Sequence, residues 1–155
     1  MLNNIPVELR ALPQWVCAGH DKIPINPRTG QAASVTDPAT WATFEEACRT
    51  GFAHIGFVLA PWDPFAIIDL DNKPYKPLTE EEWSRHQKIL TAFDSYTERS
   101  ASGRGYHIIV KGRLPSGVHR DNVEVYSSER YMICTGDVVR PSPINDHQAL
   151  LDMLH

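Results

Sequence analysis

Apolar residues fall into short bursts along this chain, and the spacing inside the bursts changes from one to the next. Pro64-Phe65-Ala66-Ile67-Ile68-Asp69-Leu70-Asp71 is nearly continuous and rich in β-branched side chains, which predicts a buried strand. Further strands are predicted at residues 14–18, 55–59, 96–99, 106–110, 123–126 and 131–134, with a turn at Pro61-Trp62-Asp63-Pro64. The period becomes helical over residues 79–93, where Trp83, Gln87, Leu90 and Phe93 recur and Thr79 with Glu82 makes a capping box. Shorter helices are predicted at residues 6–12 with Pro6 in first position, at 43–50 with Thr43 as N-cap, and at 144–154 with Asn145 as N-cap. Residues 22–36 are rich in Pro, Asn and Gly and predict a loop or hairpin. Sequential strands with helices between them point to an α+β domain with a largely antiparallel sheet. Two lobes are expected, residues 1–54 and residues 55–155.

Composition narrows the class. A chain of 155 residues with 42% hydrophobic and 22% charged residues fits one soluble domain with a real core. No stretch reaches the length of a membrane span, and the N-terminus lacks a basic segment followed by an apolar one. Cys17, Cys48 and Cys134 are odd in number and far apart, with no Cys-x-x-Cys, which argues against a disulfide framework or structural zinc and for a reducing cytoplasm. The net charge of −4 does not invite nucleic acid to the chain as a whole. The acids are uneven, however: Glu80, Glu81 and Glu82 share one predicted helix. Arg99, Arg104, Lys111, Arg113 and Arg120 follow with no acid between Glu98 and Asp121. A local basic surface is compatible with a phosphate-bearing ligand.

Three segments carry chemistry. Asp69 and Asp71, at i and i+2 on a strand, point to one face, with Ile68 and Leu70 on the other. Two close carboxylates repel unless a cation or proton lies between them, and hard oxygen ligands select Mg²⁺ or Mn²⁺. The alternative is an acidic, solvated loop start. In Ser102-Gly103-Arg104-Gly105-Tyr106-His107, glycines flanking an arginine let backbone N–H groups turn toward an anion, with a hydroxyl and an imidazole beside them. A glycine hairpin bearing a surface histidine is the plainer reading. In Val123-Glu124-Val125-Tyr126 the acid alternates with valines, so it faces away from the core if they face into it. A third carboxylate on that face would complete a cluster able to hold two divalent ions; otherwise Glu124 is an exposed residue paired with Arg130. Lys22 and Arg130 are further candidates for contact with phosphate.

Together these segments resemble the archaeo-eukaryotic primase superfamily, and within it the primase-polymerase domains of phage and plasmid replication proteins. The resemblance lies in Ile68-Asp69-Leu70-Asp71, the longer phage-type loop from Ser102 to His107, and Val123-Glu124, with Glu where many relatives carry Asp. It extends to Lys22-Ile23-Pro24 with Asn26-Pro27, residues 34–38 with Trp41, Gly56-Phe57-Val58-Leu59, and Arg130-Tyr131-Met132 through Thr135-Gly136, and is strongest to the deep-sea-vent phage type. It implies a two-lobed fold with an RRM-like, mostly antiparallel sheet. It also implies template-directed nucleotidyl transfer, as DNA polymerase or primase, in phage or plasmid-type replication. Asp69, Asp71 and Glu124 would hold two Mg²⁺ or Mn²⁺ ions. His107, Ser102, Gly103, Arg104 and Gly105 would meet the nucleotide phosphates, with Lys22 and Arg130 as further contacts and Tyr131 near the sugar. Implied partners are deoxy- or ribonucleoside triphosphates, a single-stranded DNA template and primer, and a helicase or helical primase domain outside this chain. The setting would be the cytoplasm of a bacterial, archaeal or phage-infected cell. A non-catalytic nucleic-acid-binding module on the same fold, or a metal-dependent nuclease, are the competing functions.

Overall fold

The computed structural model describes residues 1–155 and shows an α+β fold with four helices and two antiparallel sheets. The chain divides into two compact units, Met1–Asp63 with Ser128–Gly136, and Pro64–Ser127 with Asp137–His155. No helix is long and apolar enough to cross a membrane.

The first unit holds helices α1 (Val7–Arg10) and α2 (Phe44–Cys48) and a sheet of order β2-β1-β3-β9. Its strands are β1 (Trp15–Ala18), β2 (Pro24–Ile25), β3 (His54–Leu59) and β9 (Arg130–Cys134). All four residues of β1 are buried, as befits a strand covered on both faces. Thr43 caps α2 in a full capping box with Glu46. The same Glu46 accepts two hydrogen bonds from Arg28, at 2.6 and 2.8 Å, and that guanidinium holds its carboxyl down at about 2. The proline-rich loop is thereby tied to the helix cap. At Gly56 a Cβ would come within 2.4 Å of the Tyr131 ring, so only glycine lets β9 lay that tyrosine across β3.

The second unit holds α3 (Glu80–Ala92), α4 (Gln148–Leu154) and a sheet of order β10-β5-β6-β4-β8-β7. Its strands are β4 (Phe65–Leu70), β5 (Thr97–Arg99), β6 (Tyr106–Lys111), β7 (Val118–Arg120), β8 (Val123–Tyr126) and β10 (Val138–Arg140). β4 lies in the interior of the sheet, between β6 and β8. Ala66, Ile68 and Leu70 pack with Ile108, Val110, Val123 and Val125 and with Ile89, Phe93 and Leu151 from the helical segments. One face of the sheet is therefore the core, and period-two alternation sends Asp69, His107 and Glu124 to the other.

Several expectations change in detail. Strands β7 and β10 and two short 3-10 turns were not predicted, because three-residue elements carry too little pattern. α4 begins at Gln148 after His147, not after Asn145, whose amide instead donates to the Asp94 carbonyl at 2.7 Å. α3 keeps its Thr79–Glu82 capping box but buries His86 and Ile89, while Trp83 is 58% exposed. The bulky aromatic at helical spacing marked the wrong edge of the apolar face.

Candidate active site

Five side chains form a continuous row across the face of the second unit's sheet that lies opposite its core cluster. Glu98 of β5 is in register with His107 of β6, His107 with Asp69 of β4, Asp69 with Glu124 of β8, and Glu124 with His119 of β7. Neighbours in such a row stand about 5 Å apart at Cβ, close enough for direct interaction. His107 Nε2 lies 3.6 Å from Asp69 Oδ1, and its Nδ1 lies 3.7 Å from Glu98 Oε1. His119 Nδ1 lies 3.5 Å from Glu124 Oε1. Two tyrosines complete the row from positions i±2, Tyr126 on β8 and Tyr96 just before β5. Tyr96 donates to Glu98 Oε2 at 3.0 Å and Tyr126 donates to Glu124 Oε1 at 2.8 Å.

Asp71 stands differently. It follows the end of β4, its N–H donates to the Asn122 carbonyl at 3.0 Å, and its carboxylate faces Lys73 Nζ at 3.6 Å. Asn122 and Asp121 form the β7–β8 turn, both with positive φ (61° and 56°), the backbone of a type I′ hairpin. Helix α3 clamps that turn: Asn122 donates to Glu82 Oε2 at 2.8 Å and Arg85 donates to Asp121 Oδ2 at 3.1 Å. The same turn thus sets the backbone of Asp71 on one side and the start of β8, with Glu124, on the other.

The loop before β6 is tighter than expected. The N–H of Gly103 donates to the Ser100 carbonyl at 2.9 Å, that of Arg104 to Ser102 Oγ at 3.2 Å, and that of Gly105 to Ser100 Oγ at 3.1 Å. These amides close the turn on itself rather than opening toward an anion, because two serines within reach supply acceptors. Ser102 and Arg104 are exposed, and Arg104 Nε donates to the Asn72 carbonyl at 3.0 Å, which draws the loop toward the end of β4. Gly103 sits at φ +76°, and a Cβ on Gly105 would meet the Leu70 carbonyl oxygen at 2.3 Å. Both glycines serve the close approach of loop to strand.

Lys22, Arg130 and Tyr131 lie in the first unit. Lys22 is exposed with φ +63°, and its carbonyl accepts a hydrogen bond from the Tyr131 hydroxyl. Burial, with Asp21 nearby, pushes the Tyr131 phenol up. Arg130 opens β9 opposite Leu59 and is exposed.

Whether these residues suit divalent cations turns on the donor set. No three His, Cys, Asp or Glu side chains converge into a ready-made ligand group. Asp69 and Glu124 are nonetheless direct neighbours on one face, with side chains 32% and 27% exposed. Partly exposed carboxylates are the hard ligands Mg²⁺ accepts, and such a site usually draws its other ligands from water and substrate phosphate. The donor set fits.

Sequence reasoning missed Glu98, Tyr96, Tyr126 and His119. A signal existed, since Tyr96-Thr97-Glu98 and Glu124-Val125-Tyr126 each place a tyrosine and an acid on one face of a strand. Their convergence in one row depends on cross-strand register.

No family model matches the chain. It is 41% identical over 159 aligned positions to the DNA primase-polymerase of Nitratiruptor phage NrS-1, covering 89% of this chain and 21% of that protein. The chain thus spans about a fifth of the length of the curated relative it matches. Over nearly nine-tenths of its length, the chain is thus a sequence relative of one segment of that phage DNA primase-polymerase.

Proposed function

We propose that this chain performs template-directed nucleotidyl transfer, as a DNA polymerase or primase, in phage or plasmid-type replication. The observation that carries the reading is the register row in which Asp69 stands between Glu124 and His107, with the Ser102–Arg104 loop drawn to the same strand end. Likeness to a phage DNA primase-polymerase supports it. Asp69 and Glu124, with Asp71, would hold a pair of Mg²⁺ or Mn²⁺ ions. Such ions, when bound, lower the pKa of an attacking 3′-hydroxyl and offset the charge of the triphosphate and departing pyrophosphate.

The chain's own residues then place and neutralise. Asp69 holds its position from an interior strand of the sheet, so its carboxylate is delivered by a rigid element. His107 presents Nε2 beside Asp69 and acts as a donor to phosphate, not as a general base. Ser102 and Arg104 add a hydroxyl and a fixed positive charge from the neighbouring loop. Preorganised charge and orientation supply most of the rate in such chemistry. The roles of Lys22 and Arg130 at phosphate and of Tyr131 at the sugar rest on the family resemblance alone.

Primer extension by wild type and Asp69→Asn, with Mg²⁺ or Mn²⁺ and each nucleotide set, tests the reading. Extension should fall on the order of a thousandfold in a variant that melts like wild type. Metal-dependent extension undiminished in Asp69→Asn would sink the assignment, and wild-type degradation of the DNA without extension would replace it with a nuclease.

A further inference from the structure

Between the end of β4 and the start of α3 the chain reads Asp71-Asn72-Lys73-Pro74-Tyr75-Lys76-Pro77, an aromatic set among lysines and prolines. The N–H of Lys76 donates to the Lys73 carbonyl at 3.2 Å and the two lysines form a β-bridge, so residues 73–76 close a tight turn with Pro74 in its second position. Each lysine precedes a proline, which holds its backbone extended, and Pro74 fixes φ inside the turn. Tyr75 is thereby carried at the tip, 81% exposed, while every other tyrosine of the chain is buried or half-buried. The turn is rooted at the strand end that bears Asp69. Lys73 Nζ lies 3.6 Å from Asp71 Oδ2, and Arg104 braces the root by donating to the Asn72 carbonyl at 3.0 Å. Asp71 precedes the turn and Glu80, Glu81 and Glu82 follow it on α3, so the turn itself carries cations alone.

We propose that this turn grips single-stranded DNA: Tyr75 stacks on an unpaired base while Lys73 and Lys76 meet the phosphates on either side of it. The chemistry of the turn selects that occupant. An exposed ring between two lysines complements a base between two phosphates, and stacking requires a base face that no partner strand covers. A protein partner would call for a contiguous apolar patch, whereas the turn offers one ring between cations. Proline, bridge and brace preset the backbone, so little ordering cost accompanies binding. That the strand is the template or primer of the neighbouring site rests on the polymerase reading; capture of an unpaired strand by the turn does not.

The experiment is fluorescence anisotropy of a labelled mixed-sequence oligodeoxynucleotide, single-stranded and as a duplex, with wild type, Y75A, Y75F and K76A. Y75A should weaken single-strand binding about tenfold, the size of one lost base–aromatic stack, and leave duplex binding unchanged. Y75F keeps the ring and should bind like wild type. K76A should make the slope of log affinity against log salt shallower by about 0.7, one phosphate contact on a single strand. Both side chains project into solvent, so all three variants should melt like wild type. In primer extension, Y75A should raise the KM for primer and template with kcat little changed. No measurable single-strand binding by wild type at low salt would overturn the proposal. So would single-strand binding undiminished in Y75A, an equal loss on single strand and duplex, a loss in Y75F as large as in Y75A, or an unaltered salt slope in K76A. Wild type that extends no primer yet binds single strands through Tyr75 would count against the polymerase reading alone. Wild type that extends primers while Y75A binds and extends equally well would count against the turn alone.

Discussion

Asp69 divides the polar row into two arms built from the same parts. On one side stand a histidine, a glutamate and a tyrosine, His107, Glu98 and Tyr96; on the other stand Glu124, Tyr126 and His119. Each tyrosine donates to its glutamate, at 3.0 Å and 2.8 Å, and each histidine approaches a glutamate, at 3.7 Å and 3.5 Å. The arms differ in order and in water. Histidine is next to Asp69 on the first arm, and glutamate is next to it on the second. The His107 side chain is 10% exposed and that of His119 is 62% exposed. A buried carboxylate exchanges few partners and suits holding another residue in place. A partly solvated one can trade water for a cation or a phosphate-bearing ligand. Identical chemistry in two environments therefore separates into a buried arm and a partly solvated arm.

The largest expected effect breaks this symmetry directly. Glu124→Gln should lower kcat for primer extension on the order of 10²–10³-fold, against less than about tenfold for Glu98→Gln. Steady-state kinetics on the two variants under one metal and one primer checks the contrast; the same kinetic signature from both would abolish the distinction between arms.

A smaller effect appears in stability. Tyr96→Phe removes a hydrogen bond to a fully buried carboxylate and should cost about 1–3 kcal/mol, whereas Tyr126→Phe, beside a partly exposed Glu124, should cost less than about 1 kcal/mol. Urea melts of the two variants measure the difference. Equal losses would mean that the arms are alike in burial energetics.

The smallest effect concerns the turn at the start of β8, in the solvated arm. His86 of α3 is buried and faces the backbone of Asp121 and Asn122, with Glu82 and Arg85 near it. Burial is the main influence and pushes its imidazole below the ordinary 6.5, against the opposing pull of those backbone groups and Glu82. The folded state thus favours neutral His86, and the unfolded chain takes up the proton first as pH falls. Its contribution is complete above about 6.5 and is lost progressively below it, with a slope of at most about 1.4 kcal/mol per pH unit. Urea midpoints from pH 8 to pH 5 should fall more steeply in wild type than in His86→Gln. Parallel curves would remove His86 from the linkage.

Much of the candidate site was legible before any fold. The alternation of Asp69 with Ile68 and Leu70, and of Glu124 with Val123 and Val125, is a local period-two pattern, and the structure puts the apolar members in one core. The Thr79–Glu82 box marked the start of α3 for the same reason, since a cap is made by residues three apart. Trp83 misled because bulk at helical spacing indicates an apolar face only when something packs on it, and here the packed face is the one with Ile89. The loop at Ser102 misled in another way. Glycine permits amides to turn outward, but Ser100 and Ser102 take them inward.

What the sequence by itself determined is therefore the set of faces: which side chains of each strand leave the core, and which residue types with metal- and phosphate-binding chemistry stand among them. Only the tertiary structure decided which of those faces meet. Cross-strand register, fixed by the β7–β8 turn and its clamp on α3, made neighbours of residues as distant in the chain as Asp69 and Glu124. It brought Glu98 behind His107 and closed it off from water. Pairing partners are chosen by long-range burial, and a one-residue slip would turn every one of these side chains to the opposite face.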